Sequence, residues 1–510
     1  MGLSSFIRVG LFKSPIRVAA AFLLRSRETQ AQRAREKSRE IEDLKRIIQQ
    51  MQRIQTTTEE ERAQDRREFA QLKAEIQRLR EQPSVLPYDP PLPHHQFGPK
   101  MISVCVNLAR AVGLRATVTV LQIALDWLGA SARLPQWTCV RIWLMRVGIA
   151  AIEEPVEEVD DMIWMADHSN QIGPEKALVI LGLRASQMPP PGVALTHRHV
   201  RVLMVKPGVN WKQEDVARAY EELADRNGAP LAVIVDGAVE LREGAEVLQK
   251  YGKDVIVLRD FKHFAANVMK KIVGGSPKFA AFTTQVGVTR SAIQQTELGH
   301  FTPPGSKPKA RFMNLASMLT WSGMVLWQLS QPNSKARSGI AAARMEEKLG
   351  WVRTFQEDIP RWNACQAVVS ASVTFINEQG LFRGTADRLA EELESLQTCD
   401  DSRAVTDQLL EFVRQSETKL PKGQRLPLST EILESAFGLY KQLERQHSKG
   451  GFTSLLAAFG ALLNPATPES IRRDFARVSV TQMRTWVATN LKQTLASKRN
   501  SAYHEFTHAA

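Results

Sequence analysis

The sequence predicts a mixed α/β core with a large, mainly helical insertion, preceded by a coiled coil and a helix-turn-helix domain. Three observations lead to this fold class. A heptad pattern runs through residues 28–82, short apolar runs of strand length fill residues 158–265, and helical patterns dominate residues 266–424. The chain has 510 residues, of which 43% are hydrophobic and 24% charged, as in folded proteins of several domains.

Charge and cysteine usage narrow the class of protein. The 67 Lys and Arg residues outnumber the 54 Asp and Glu residues, which favours a polyanionic partner. The four cysteines form no CxxC pair, which excludes a disulfide scaffold and a cysteine zinc finger and indicates a reducing compartment. The apolar run Val18–Leu24 is too short to span a membrane, and Arg25 and Arg27 follow it, unlike a signal peptide. We expect a cytoplasmic, nucleoid-associated bacterial protein without integral membrane association.

The first 99 residues divide into three segments. Residues 1–27 carry five basic residues and no acid, typical of either an arm that binds nucleic acid or a plain tail. Residues 28–82 contain no Gly or Pro and predict a coiled coil that forms a homodimer or higher oligomer, the alternative being one solvated helix. Residues 83–99 hold six prolines and predict a linker. The heptad positions are Ile41, Leu44, Ile48, Met51, Phe69, Leu72, Ile76 and Leu79.

Residues 100–155 predict a helix-turn-helix domain of three helices. The third follows Pro135, covers Trp137–Val147 and is expected to end at Gly148. A recognition helix presents polar side chains to DNA and docks through its apolar face. The alternative is a three-helix unit with no nucleic-acid role. The candidate DNA contacts are Gln136, Thr138, Arg141 and Arg146.

Residues 158–265 have the element order β, β, β, α, β, α, β, followed by a helix. This is the order of an RNase H-like core, in which a mixed sheet is covered by helices. Asp167 follows the first predicted strand and Asp236 the fourth, and these strands are neighbours in that arrangement, so both carboxylates are expected to face one site. The alternative is a turn-capping role for each. The predicted strands are Met162–Ala166, Ala177–Leu183, Val200–Val205, Leu231–Val235 and Val255–Leu258.

A third acid comes from a helix predicted over Ser429–His447, within residues 425–450. Glu434 lies on one stripe of this helix, and Lys441 follows two turns later on the same side. A carboxylate that holds metal and a cation that grips phosphate belong together on such a face. Glu431 is the neighbouring competitor.

Asp167, Asp236 and Glu434 resemble the DDE triad of RNase H-like transposases and integrases. The matching stretches are IWMADHSNQIG, LAVIVDGAVEL and STEILESAFGLYK. The segment RDFKH, with Asp260 and His263, resembles the D/C-x-x-H element of several transposase groups. Glu434 lies 198 positions after Asp236, which implies an insertion between the last strand and the catalytic helix.

The resemblance implies a DNA transposase that cuts transposon ends and joins them to target DNA. Asp167, Asp236 and Glu434 would hold two Mg²⁺ or Mn²⁺ ions, and Lys441 would position a phosphate. The alternative is a catalytically silent, transposase-derived protein that binds and assembles DNA. A third class, a membrane-surface coiled-coil protein, leaves the acids unexplained.

The insertion and the C-terminal region offer further basic residues. Residues 270–311 combine seven Lys or Arg with interleaved phenylalanines, a pattern typical of a surface that follows a phosphate backbone, or of a solvated face over core aromatics. Residues 451–510 predict further helices, the most regular over Thr467–Leu491. The insertion's candidate DNA contacts are Lys307, Lys309 and Arg311.

Overall fold

The computed structural model divides the chain into two compact units. One contains residues up to Ala151 together with Leu439 onward, and the other is Ile152–Gly438. Most of the predicted coiled coil, the arm 1–27 and residues 83–88 lie outside the described residues, so self-association stays a prediction. The described residues are 41, 44–45, 67–74, 89–128, 130, 132–155, 158–172, 175–251, 254–305, 312, 315–331, 342–446, 452–492 and 494–508.

The unit with both chain ends begins with α1 (Pro99–Val112), α2 (Leu114–Leu128) and α3 (Trp137–Ile152). Helices therefore lie where the sequence predicts them, while DNA reading by α3 stays a prediction. Gly148 does not end α3, contrary to expectation. A Cβ added at this position would lie 2.1 Å from the carbonyl oxygen of Ala457, so the residue serves a close backbone contact.

The second unit is built on a five-stranded mixed sheet of order β3-β2-β1-β4-β5. β1, β2 and β3 pair antiparallel, whereas β4 pairs parallel with β1 and β5 parallel with β4. The predicted α/β class is confirmed at this level, and the first and fourth strands are neighbours as expected. The strands are β1 (Met162–Ile172), β2 (Glu175–Arg184), β3 (Arg201–Val209), β4 (Ala232–Val235) and β5 (Ile256–Arg259).

The core of this unit lies between the sheet and two helices, α4 (Gln213–Asn227) and α5 (Val239–Gly244). Trp164 of β1 and Tyr220 of α4 are fully buried there, with ring centroids 6.1 Å apart. Burial of each such large side chain contributes about 1.5–3 kcal/mol. This packing fixes β1 and β4 side by side. After β5 the chain enters α6 (Phe261–Ile272).

The insertion is mainly helical, as predicted. Phe279 and Phe282 are buried and both contact Trp362 at 5.1 Å between ring centroids. These phenylalanines therefore belong to a core and do not interleave with cations on a surface. Its further helices are α7 (Pro277–Ile293), α8 (Ala316–Ser330), α9 (Ala342–Leu349), α10 (Asp358–Gln379), α11 (Thr385–Leu393) and α12 (Asp400–Glu417).

The chain then forms α13 (Glu431–Arg445), and the division between the two units falls within it. A 3-10 segment (Ser454–Leu462) leads to α14 (Pro468–Arg477), α15 (Val480–Asn490) and α16 (Leu495–His508). The prediction of one helix over Thr467–Leu491 is wrong. A new helix begins at Ser479, whose hydroxyl accepts a hydrogen bond from the Gln482 N–H at 3.2 Å.

The C-terminal region packs on the first three helices. Asn107 of α1 donates to the carbonyl of Ala466 at 2.8 Å and accepts from its N–H at 2.9 Å. Arg110 donates to the Leu462 carbonyl at 2.7 Å. Residues that the sequence places in two separate domains thus share one unit. Among the described residues no single helix is long and apolar enough to cross a membrane, and α1 with α2 meets that test only as a pair bent by 119°.

Candidate active site

Two aspartates lie at the point where β1 and β4 stop pairing. The parallel register joins Ala166 to Val235, so Asp167 and Asp236 follow on adjacent strands. Neighbouring strands are about 4.8 Å apart, which brings the two side chains to one place. Asp167 is not at a strand end as expected, because β1 continues along β2 to Ile172. The end of the β1–β4 pairing opens the site instead.

Asp167 is buried, with 8% of its surface exposed. Burial is the main cause that raises its pKa to about 8, and the negative charges of Asp236 and Glu434 add to it. The His168 N–H, which donates to the Asp167 carboxylate at 2.6 Å, and the charge of His263 act in the opposite direction. The three predicted acids are therefore within electrostatic reach of one another.

Glu434 enters this site from the first turn of α13. Its Oε2 accepts a hydrogen bond from Lys262 Nζ at 2.8 Å, and its Oε1 lies 3.7 Å from His263 Nε2. Glu431 accepts from the same Lys262 Nζ at 2.9 Å and from Asn377 at 2.7 Å. Because the charge of Glu434 contributes to the raised pKa of Asp167, Glu434 is the carboxylate that lies with the aspartate pair.

Asp260 joins the two helices that carry these side chains. It is 1% exposed and begins α6 by accepting from the His263 N–H at 2.6 Å. Its other oxygen accepts from the N–H and, at 2.9 Å, from the hydroxyl of Thr430, the residue before α13. Burial opposes a charge on His263, but its hydrogen bond to Asp260 raises its pKa to about 9. Asp260 thereby fixes His263 beside Glu434.

Lys262 is the residue of the site that sequence reasoning missed. Burial alone lowers the pKa of its ammonium, yet the ion pairs with Glu431 and Glu434 outweigh this and raise it. Its partners lie 169 and 172 residues later in the chain, so no local pattern connects them. The available signal was its position in the RDFKH segment beside Asp260 and His263.

The predicted DNA contacts differ in exposure and in their hydrogen-bond partners. Gln136 and Thr138 are exposed, and Arg141 donates to the hydroxyl of Ser454. Arg146 is wrong as a DNA contact. It is 3% exposed, donates to the carbonyls of Phe475 at 3.0 Å and Val478 at 2.8 Å, and stacks on the Phe475 ring. The predicted contacts outside the described residues are Lys307, Lys309 and Arg311.

Lys441 lies seven residues beyond Glu434 on α13 and belongs to the other compact unit. Its contact with a phosphate stays a prediction.

The aspartate pair fits a divalent metal ion. Its donor atoms are all carboxylate oxygens, which Mg²⁺ and Mn²⁺ prefer, and Mg²⁺ needs only one or two carboxylates besides water. Burial is the main cause of the raised pKa of Asp167, and the charges of Asp236 and Glu434, which a cation would compensate, add to it. In the part of the chain that the structure describes, no group of three or more His, Cys, Asp or Glu side chains is arranged to hold an ion. The fit to a metal ion is therefore limited to Asp167 and Asp236, because Glu434 accepts a hydrogen bond from Lys262.

No protein-family model matches this chain, and no curated protein matches it. Among solved structures it is similar to the Drosophila P element transposase strand transfer complex, with 11% identity over 80% of this chain and 99% of that chain. The TM-score is 0.35, and at that value the likeness carries no argument about this chain.

Proposed function

We propose that this protein is a DDE-type DNA transposase with an RNase H-like core, which cleaves transposon ends and transfers them into target DNA. The observation that carries the proposal is that Asp167 and Asp236 follow the paired residues Ala166 and Val235 on adjacent parallel strands, and the charge of Glu434 acts on Asp167 as well. A buried carboxylate beside other acids is costly unless a proton, a partner or a cation compensates its charge. The strand order and the helix α13 after the insertion agree with this proposal.

Each carboxylate has a role in this proposal. Asp167 and Asp236 would hold the Mg²⁺ or Mn²⁺ ions of the reaction, and Glu434 would join them as the third acid. Bound divalent ions activate a water or 3′-OH for attack on a phosphodiester and stabilise the leaving oxygen. Lys262 forms ion pairs with Glu434 and Glu431 and so compensates negative charge at the start of α13. Asp260 holds α6 to the start of α13 and so keeps Glu434 in reach.

The first prediction concerns Asp167→Asn. The variant keeps the size of the side chain but loses a carboxylate oxygen and its charge, so metal binding at the pair should fail. We expect at least a hundredfold loss of Mn²⁺-dependent nicking of supercoiled plasmid DNA, with DNA binding in EDTA unchanged. Mn²⁺ binding followed by electron paramagnetic resonance gives a second readout without DNA.

The matched control is Asp225→Asn, which removes an exposed acid of α4. It should nick and bind like the unchanged protein. Full nicking activity in Asp167→Asn would dismiss the active-site proposal. If the unchanged protein binds DNA but nicks it with neither metal, the silent DNA-binding alternative takes its place.

A further inference from the structure

The unit with both chain ends contains a large basic groove. Its volume is about 1470 Å³, above the roughly 300–1,000 Å³ of small-molecule pockets. Arg115, Arg141, Arg445, Lys492 and Arg499 line it, and no Asp or Glu is among the described residues that do so. These cations come from α2, α3, α13, α16 and the turn after α15, so folding gathers them from the length of the chain.

The cations of the groove differ in their side-chain contacts. Arg141 donates to the hydroxyl of Ser454, and Arg115 lies over the ring of Trp137 at 5.1 Å from its centroid. Arg445, Lys492 and Arg499 are exposed and form no ion pair with a described acid. Gathered cations repel one another, and an anionic ligand that replaces the missing counter-charge relieves this repulsion.

Glu444, which precedes the groove residue Arg445 in the sequence, is turned to internal partners. Burial raises the pKa of Glu444, and one of its oxygens accepts hydrogen bonds from Tyr440 and Thr453. Glu444 is 4% exposed and does not line the groove. The charge of Arg141 acts on Glu444, whereas the charges of Arg445, Lys492 and Arg499 stay available to a ligand.

We infer that this groove binds the phosphate backbone of DNA. A space of this volume, with several cations and no acid among the described residues that line it, fits a chain of phosphates better than one small anion. Its concave form favours a nucleic-acid strand over a flat membrane surface. Trp137 adds a ring on which an unpaired base can stack. The choice of DNA rests on the proposed function, whereas the polyanion chemistry does not depend on the carboxylate site.

The test uses the full-length protein in EDTA with fluorescein-labelled duplex and single-stranded DNA of random sequence. The variant carries Arg445→Gln, Lys492→Gln and Arg499→Gln together. Since each lost phosphate contact lowers the slope of log K against log salt by about 0.9 on duplex DNA, we expect the slope to fall by about two to three. Affinity near 0.1 M salt should fall by roughly tenfold or more.

The matched control carries Lys100→Gln, Arg484→Gln and Lys498→Gln, three exposed residues of the same unit that do not line the groove. It loses the same charge and should change affinity less than about twofold. Arg445→Lys with Arg499→Lys, which keeps the charge, should bind like the unchanged protein. Circular dichroism verifies that every variant is folded.

Equal losses in the groove variant and its control would overturn the inference. So would normal DNA binding by the groove variant combined with lost binding to vesicles of phosphatidylcholine and phosphatidylserine in equal parts. The outcome is separable from the active-site proposal, because Asp167→Asn lacks nicking but keeps the groove, and the groove is measured without metal.

Discussion

At the scale of single residues, Asp167 decides the chemistry of the site. Strand alternation turns Asp167 and His168 to opposite faces of β1, and burial affects them differently. The Asp167 carboxyl holds its proton up to a pKa of about 8, whereas burial and the charge of Lys176 lower the pKa of His168 to about 4. Only Asp167 therefore changes charge near neutral pH, on the face that Asp236 and Glu434 share.

This protonation predicts how stability depends on pH in the absence of metal. The folded pKa of Asp167 is about 8 against an ordinary value of 3.8, so between these values the folded state holds a proton that the unfolded state has released. Stability from this group therefore falls as pH rises from about 4 to 8. Asp167→Asn removes that loss, and in EDTA at pH 8 we expect it to be more stable than the unchanged protein by at least about 1.4 kcal/mol.

Urea unfolding at a series of pH values measures this difference, which should shrink toward pH 5. Asp225→Asn, in an exposed position, should show no such trend. A stability difference that instead grows as the solution becomes more acidic would contradict the raised pKa.

At the scale of elements, the apolar runs predicted all five strands, because each strand contains a continuous hydrophobic segment, which is buried in β1 to β4 and only partly buried in β5. The apolar runs did not predict the residue at which each strand pairing ends. β1 extends through polar residues to Ile172, since it pairs with β2 there and no longer with β4. The break between α14 and α15 was not predicted either. It depends on the hydrogen bond by which Ser479 caps α15, and apolar periodicity does not show such a cap.

Asp260 links α6 to the start of α13, so we expect a substitution of Asp260 to weaken the contact between these helices. Asp260→Asn keeps the shape, but its single amide oxygen cannot accept from both the His263 N–H and the buried Thr430 N–H and hydroxyl, as the two carboxylate oxygens do, so the link between α6 and α13 loses an acceptor. We expect a loss of about 2–3 kcal/mol, more than the roughly 1 kcal/mol of an exposed cap. Hydrogen exchange of residues 428–434 measures the opening directly.

Ser479→Ala is the control, because it removes the cap of α15 at an exposed position. Its exchange should rise only around α15, at a cost near 1 kcal/mol. If residues 428–434 are as protected from hydrogen exchange in Asp260→Asn as in the unchanged protein, the hydrogen bonds of Asp260 do not hold α6 to α13.

At the scale of the whole molecule, the sequence cannot show that the first and last parts of the chain share a unit. The contacts responsible join Asn107 to Ala466 and Arg110 to Leu462, residues more than 350 positions apart. Arg146 illustrates the consequence. On its own helix it has the position of a DNA contact, and only the C-terminal carbonyls of Phe475 and Val478 explain why it is buried.

The shared unit predicts the effect of a single methyl group at Gly148. A Cβ there would lie 2.1 Å from the Ala457 carbonyl oxygen and 2.6 Å from the Ala458 Cα, so α3 and the 3-10 segment would have to separate. Backbone atoms cannot yield as a flexible side chain can, and we expect Gly148→Ala to cost at least about 3 kcal/mol. Gly287→Ala is the control, since this glycine of α7 has nothing within 4 Å of an added Cβ and should gain up to about 1 kcal/mol. Calorimetry should show a lowered transition in Gly148→Ala, while Mn²⁺ binding by the aspartate pair persists because the pair belongs to the other unit. Equal melting of both variants would mean that α3 and the C-terminal region do not meet backbone to backbone.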